Sequence, residues 1–182
     1  MESLIKYSRK LSKILRHQPD MIGLTLDENG WASVMELIEK FGGVQGQALT
    51  TEILKEVVTT NDKKRFAFND DMTKIRANQG HSVDIDLALQ PQTPPAILFH
   101  GTASKNLQSI KQQGLLRGSR QHAHLSIDET TAKRVGSRHG APVILKVKTT
   151  EMVAANFKFY ISDNGVWLTD YVPVKFIIFP LR

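Results

Sequence analysis

Leu89-Gln90-Pro91-Gln92-Thr93-Pro94-Pro95 divides this chain of 182 residues into two stretches that cannot share one helix or one central strand. Three prolines within five residues each lack a backbone N–H and fix φ, so the segment makes a stiff connector. The charge changes across it. Residues 1–90 carry 12 lysines and arginines against 13 acids, a net of −1, whereas residues 91–182 carry 12 against 5, a net of +7. With 41% hydrophobic residues there is enough apolar material for a core on each side, and the division predicts two domains, 1–90 and 91–182. The positive surplus of the second points to a polyanionic partner or a phosphate-rich ligand.

Composition excludes several classes. No apolar run approaches the roughly 18 residues of a membrane span. Met1-Glu2-Ser3-Leu4 lacks the apolar segment of a signal peptide. The absence of cysteine removes disulfide frameworks, zinc ribbons and thiol nucleophiles. A cytoplasmic protein is expected, with no membrane association and no obligate protein partner. The phosphate loop G-x-x-x-x-G-K-[ST], the dinucleotide fingerprint G-x-G-x-x-G, the zinc motif H-E-x-x-H and the G-x-S-x-G elbow are all missing from the sequence. A dinucleotide bound here is held outside the Rossmann scheme.

The first domain opens on a basic stripe. Lys6, Arg9, Lys10, Lys13, Arg16 and His17 recur at three- and four-residue steps, which at roughly 100° per residue confines them to an arc of about 120°. Tyr7, Leu11, Ile14 and Leu15 supply the face to bury. Gln18-Pro19 stops this helix, because a proline drives its predecessor out of the α region, and the final basic pair falls at the helix C-terminus, where the dipole favours cations. Such a stripe serves equally as a solvated face. A second helix opens at Ser33 with Glu36 as a capping box and ends at Gly42-Gly43. A third follows Thr50 or Thr51 and buries Ile53, Leu54, Val57 and Val58. Arg65-Phe66-Ala67-Phe68 and Thr73-Lys74-Ile75-Arg76-Ala77 then flank Asn69-Asp70-Asp71-Met72 as a hairpin. Three helices and a hairpin resemble a winged helix, a fold that does not itself establish function. Closing the hairpin with Phe68 opposite Thr73 sets Arg65 opposite Arg76. Like charges in that position repel unless an anion lies between them or one side chain swings out to solvent.

The second domain alternates short strands and helices. The predicted strands are Ala96–Phe99, His122–Ser126, Val143–Val147, Phe157–Ile161, Val166–Leu168 and Val174–Phe179. One helix runs from near Ser104 to Gly114, another is capped by Asp128, and Asp163-Asn164-Gly165 makes a hairpin turn. The class is α+β with a mainly antiparallel sheet. His100-Gly101-Thr102 is expected where the first strand ends and the chain turns. There a glycine admits a ligand to the backbone and its neighbours add directional hydrogen bonds; the same tripeptide also suits an ordinary tight turn. His122 and His124 share a strand face in the manner of metal ligands, but no third or fourth ligand is apparent, and no metal is expected. Arg120 follows a glycine turn and projects from it.

Taken together these segments resemble the RNA 2′-phosphotransferase family, also called tRNA 2′-phosphotransferases. The likeness covers nearly the whole chain in order. It is carried by Leu15-Arg16-His17-Gln18-Pro19, Asp27-Glu28-Asn29-Gly30-Trp31, Asn61-Asp62-Lys63-Lys64-Arg65-Phe66 and Ile75-Arg76-Ala77-Asn78-Gln79-Gly80-His81-Ser82 in the first domain. In the second it is carried by Leu98-Phe99-His100-Gly101-Thr102, His124-Leu125-Ser126 and Asn164-Gly165-Val166-Trp167-Leu168-Thr169.

The resemblance implies a winged-helix-like RNA lobe followed by an ADP-ribosyltransferase-like NAD lobe, with the active centre where the two meet. It implies that NAD is consumed. An RNA 2′-phosphate attacks the nicotinamide ribose carbon and expels nicotinamide; the neighbouring 2″-hydroxyl then attacks phosphorus. The products are a free RNA 2′-hydroxyl and ADP-ribose 1″,2″-cyclic phosphate. The family's catalytic Arg, His, Arg and Arg fall on Arg16, His17, Arg65 and Arg120. Arginine suits phosphate because its guanidinium stays charged and grips two oxygens at once, and His17 either orients the phosphate or moves a proton. His100, Gly101, Thr102 and Ser126 are the implied NAD-binding residues, while Arg76, Gln79, His81 and Ser82 lie near RNA or NAD phosphates. Asn164-Gly165-Val166-Trp167 has no glutamate where protein-modifying ADP-ribosyltransferases commonly carry one. Two other readings use the same residues: an ADP-ribosyltransferase acting on nucleic-acid phosphate ends, and a non-catalytic winged-helix nucleic-acid-binding regulator.

Overall fold

The computed structural model describes residues 2–44 and 46–180, the side chains of Glu2 and His139 excepted. Contacts divide the chain into two compact units, one ending at Ala88 and the other beginning at Leu89. No helix among the described residues is long and apolar enough to cross a membrane.

In the first unit α1 (Glu2–Arg16) buries Tyr7, Leu11, Ile14 and Leu15, the apolar stripe read from the sequence. It ends where Pro19 requires: Gln18 leaves the helical region at φ −142°, and Pro19–Ile22 forms one turn of 3-10 helix. β1 (Ala32–Ser33) leads directly into α2 (Val34–Lys40), where the Ser33 hydroxyl accepts the Glu36 N–H. α3 (Thr51–Thr59) is capped in the same way by Thr50. β2 (Phe66–Phe68) and β3 (Lys74–Ala77) complete an antiparallel sheet of order β1-β3-β2. Ala32, Phe66, Ile75 and Ala77 face a core shared with Leu37, Phe41, Leu54 and Val57. Each large aliphatic or aromatic side chain so buried contributes about 1.5–3 kcal/mol.

Two expectations change here. The hairpin pairs Phe68 with Ile75, Ala67 with Arg76 and Phe66 with Ala77, two residues away from the predicted register. Asn69 holds the Lys74 N–H through its side chain at 2.8 Å and Asp71 turns back onto Thr73, so the loop is longer than the predicted turn. Asn78 N–H donates to the Arg65 carbonyl, which makes Asn78, not Arg76, the neighbour of Arg65. Lys10 also leaves the solvated stripe. Its ammonium donates to the carbonyls of Phe41 (2.7 Å) and Gly43 (2.9 Å) and closes the C-terminal end of α2, a place that favours cations.

The second unit contains β4 (Ile97–Ala103), a 3-10 turn at Ser104–Asn106, α4 (Leu107–Gln113), β5 (Leu115–Leu116), β6 (Ala123–Leu125), α5 (Glu129–Gly136) and β7 (Pro142–Lys148). α6 (Thr149–Ala154), β8 (Tyr160–Ile161), β9 (Trp167–Thr169), β10 (Tyr171–Val172) and β11 (Ile177–Ile178) follow. Antiparallel sheets of order β11-β7-β4 and β6-β9-β8 lie beside a β10-β5 pair, and a bridge between Phe99 and Ser126 ties β4 to the end of β6. Leu98, Leu125, Leu145, Val147, Met152, Phe159 and Trp167 belong to the core. The protein is therefore α+β with small antiparallel sheets.

β4 does not end at Phe99. It runs on to Ala103 because β7 pairs with it along its whole length, His100 opposite Leu145 and Thr102 opposite Val143. The tripeptide His100-Gly101-Thr102 thus lies within a strand, and no chain turn occurs there. The predicted strand Phe157–Ile161 shortens to Tyr160–Ile161: Phe157 N–H returns to the Met152 carbonyl at 3.0 Å, closing α6, which the sequence pattern did not reveal. The predicted strand Val174–Phe179 keeps only Ile177–Ile178, since Pro173 starts a 3-10 turn closed by Phe176 N–H on its carbonyl.

Candidate functional site

In the first unit the polar residues gather at the C-terminal end of α1. The Arg16 carbonyl, left without an intrahelical donor at the helix end, accepts N–H groups from Ser82 (2.9 Å) and Val83 (3.3 Å). His17 Nδ1 lies 2.9 Å from the Ser82 hydroxyl. His81, just before, is fully buried, and neither ring nitrogen meets a hydrogen-bond partner among the described residues. Burial first, and then the charges of Arg16, His17 and Arg76, pushes its pKa down to about 3. It is a neutral imidazole among cations. Arg76 packs its guanidinium over the Trp31 ring at 4.5 Å, a cation–π contact across the sheet. Gln79 is half-buried, and its amide oxygen is likewise buried without a partner among the described residues.

Arg65 is held elsewhere on the same helix. Its Nη1 donates to Asn61 Oδ1 at 3.1 Å and toward the Ser8 hydroxyl at 3.4 Å, while Asn61 Nδ2 donates to that hydroxyl at 2.9 Å. Asn78 supports the turn from below, donating through its amide to the Lys64 carbonyl at 2.7 Å, where Lys64 takes a left-handed φ of 41°. Arg16, His17, Arg76, His81 and Ser82 therefore come together, and Arg65 is braced against Ser8 and Asn61. Sequence reasoning missed Asn61, Ser8 and Trp31 as supports. The one available signal was that Asn61 precedes Arg65 by four residues in a turn-forming run.

In the second unit the strand pairing brings three residues together. His100 Nδ1 lies 2.9 Å from the His124 carbonyl. A carbonyl only accepts, so Nδ1 carries the proton. Burial, with Arg120 nearby, lowers the His100 pKa against the opposing effect of that backbone bond; the ring is neutral, and its Nε2 is an acceptor. Arg120 Nη1 lies 3.2 Å from His124 Nδ1. The Thr102 hydroxyl, buried, accepts from Asn106 Nδ2 at 3.1 Å. Ser126 exchanges both backbone hydrogen bonds with Phe99. At Gly101 the close backbone approach is made by α5, whose Ala132 carbonyl occupies the place of a Cβ. The two histidines of the H-x-H pair diverge in their contacts: His122 Nε2 lies 3.7 Å from Asp170, whereas His124 meets Arg120. Among the described residues no group of three or more His, Cys, Asp or Glu gathers that could hold a metal.

An arginine held by neutral partners, as Arg65 is by Asn61 and Ser8, keeps its charge for an anion, and a guanidinium matches phosphate oxygens two at a time. A family model described as RNA 2′-phosphotransferase, Tpt1 / KptA family, matches residues 2–171, and the chain belongs to that family. A Fusobacterium nucleatum protein named probable RNA 2′-phosphotransferase is 53% identical over 180 residues, covering 98% of this chain and 100% of its own length. Flavobacterium johnsoniae has one of the same name that is 55% identical over 172 residues, 94% of each chain. An Escherichia coli protein, also so named, is 49% identical over 177 residues, 97% of this chain and 96% of its own.

Proposed function

We propose that this protein is an NAD-dependent RNA 2′-phosphotransferase of the cytoplasm, removing an internal RNA 2′-phosphate through an ADP-ribosylated RNA and releasing nicotinamide and ADP-ribose 1″,2″-cyclic phosphate. In this reading the first unit is a winged-helix-like RNA lobe and the second an ADP-ribosyltransferase-like NAD lobe. Family membership supports the overall reaction. The observation that carries the residue-level reading is the closing of the end of α1 by Ser82, which sets Arg16 and His17 beside Ser82 and the buried His81, with the charge of Arg76 also felt there. That concentration of positive charge suits a dianionic phosphate monoester.

The residues of the second unit fit NAD. His100 presents Nε2 as an acceptor, which a ribose hydroxyl satisfies, and Thr102 adds a buried hydroxyl on the same strand face. NAD supplies an electrophilic ribose carbon and a departing nicotinamide. The chain itself contributes placement and charge, the main resources in phosphoryl transfer. Arg16, Arg65 and Arg120 grip phosphate oxygens. His17, exposed and bonded to Ser82 through Nδ1, moves a proton as the RNA 2′-hydroxyl is released. Ser126 lines the NAD side, and Gln79 and Ser82 the phosphate side.

The test is incubation with NAD and an RNA bearing one internal 2′-phosphate, following nicotinamide, RNA phosphate and the nucleotide product. Loss of the phosphate with appearance of the cyclic product is expected. An end point of ADP-ribosylated RNA would instead identify an enzyme that modifies phosphate ends, and binding without nicotinamide release would identify a non-catalytic regulator.

A further inference from the structure

We propose that His124 is a positioning residue that ties Arg120 to His100. The inference rests on the reading of Arg120 as a phosphate-gripping residue and His100 as an NAD-binding one. Guanidinium N–H groups only donate, so the 3.2 Å contact of Arg120 Nη1 with His124 Nδ1 requires an unprotonated Nδ1. His124 is therefore the neutral Nε2–H tautomer. Its main-chain carbonyl simultaneously accepts from His100 Nδ1 at 2.9 Å, fixing the opposite tautomer on His100, with Nε2 free of its proton. One residue thus sets the direction of an arginine through its side chain and the tautomer of a histidine through its backbone.

The arrangement follows from β6 as a strand. His124 pairs with Leu168 of β9, so its backbone is fixed by the sheet. Arg120 needs such a partner because it is exposed and follows a turn outside any regular element; its long side chain has many rotamers to lose. Holding it in advance spares that loss when a phosphate arrives. The side-chain and backbone roles are separable: any substitution of His124 keeps the carbonyl that orients His100, while removing the acceptor for Arg120.

The closing experiment uses the full chain and has two arms. In the first, ¹⁵N NMR of the histidine rings reads the His124 tautomer. Wild type is expected to show an unprotonated Nδ1, and R120A to shift toward a tautomer mixture. An unchanged His124 signal in R120A overturns the tie, whatever the protein's activity. In the second arm H124A is expected to lower kcat on a 2′-phosphorylated RNA by roughly tenfold or more, with KM for NAD within about threefold of wild type. H124N, whose Oδ1 replaces Nδ1 as acceptor, is expected to recover most of the rate. Rates equal to wild type in H124A, or a loss in H124N as deep as in H124A with the fold intact, overturn the positioning role. A wild-type protein that leaves NAD untouched defeats the functional reading alone, and the NMR arm still decides the tie.

Discussion

The main-chain N–H of Ser82 donates to the main-chain carbonyl of Arg16 at 2.9 Å, so the segment leaving the hairpin closes the end of the first helix. That bond places the His17 ring and the Ser82 hydroxyl within hydrogen-bonding distance. It also separates what the backbone of Ser82 does from what its side chain does.

Ser82→Pro removes the N–H and keeps a small residue; Ser82→Ala keeps the N–H and removes the hydroxyl. The proline variant is expected to lose about 1 kcal/mol of stability by removing the shorter of the two N–H donors to the Arg16 carbonyl, with the Val83 N–H left, read as a lowered urea midpoint. The alanine variant should keep its stability and lose a smaller part of its turnover through His17. Equal stability of the two variants counts against the backbone role.

Asn61 joins Ser8 to Arg65, and its removal should act through the arginine. Asn61→Ala is expected to reduce turnover several-fold, less than Arg65→Ala, while Arg65→Ala cripples the reaction and leaves the circular dichroism spectrum unchanged. Arg65→Lys should recover little, since an ammonium cannot reproduce a two-pronged grip on phosphate. Near-normal turnover of Arg65→Ala removes that residue from the catalytic set.

His81 makes a pH prediction with a definite sign. Its folded pKa of about 3 lies below the ordinary value of 6.5, so between those values the unfolded chain takes a proton that the folded one refuses. The folded state is fully favoured above about pH 6.5 and loses about 1.4 kcal/mol per pH unit from this group as the pH falls toward 3. Urea midpoints at pH 7, 5.5 and 4.5 measure the slope. His81→Gln, which does not titrate, should flatten it, and an unaltered slope would assign the acid sensitivity to other groups.

Gly101→Ala tests the packing of α5 on β4. The added methyl meets the Ala132 carbonyl, with the Gly136 backbone beside it, and helix and strand must separate. A loss of about 1–3 kcal/mol or more is expected, seen as a fall in Tm. A variant as stable as wild type would mean that the helix yields easily at this point.

Much of the first unit was legible in the sequence, because its signals are local. Pro19 ends α1, Ser33 and Thr50 cap α2 and α3, and three-four spacing selects Leu11, Ile14 and Leu15 for the core. The hairpin register was not legible, since it depends on side chains within the loop: Asn69 captures Lys74 and Asp71 captures Thr73. In the second unit the extent of β4 depends on β7, some forty residues away in the sequence, a non-local pairing that no window around His100 contains. The run Val174–Phe179 reads as one strand because five of its six residues are apolar, but only Phe176 and Ile177 are buried, one from the 3-10 turn and one from the strand. Arg16, His17, His81 and Ser82 were named from the sequence, and the structure brings them together. Asn61 and Ser8 were missed because a residue that steadies an arginine carries no chemical signature of its own.

The seven-residue pairing of β4 with β7 bears on how the length of this chain can change in its descendants. A strand face has no intermediate settings. One residue gained or lost within β4 turns His100 to the side now occupied by Gly101 and brings a side chain against α5. A change of length here keeps both faces in frame only where a bulge absorbs it, whereas exchange of one side chain for another leaves the register untouched. The turn at Gly118–Arg120, outside any strand, is under no such restriction, and there insertions and deletions can alter the reach of Arg120 while the His100 face stays in frame.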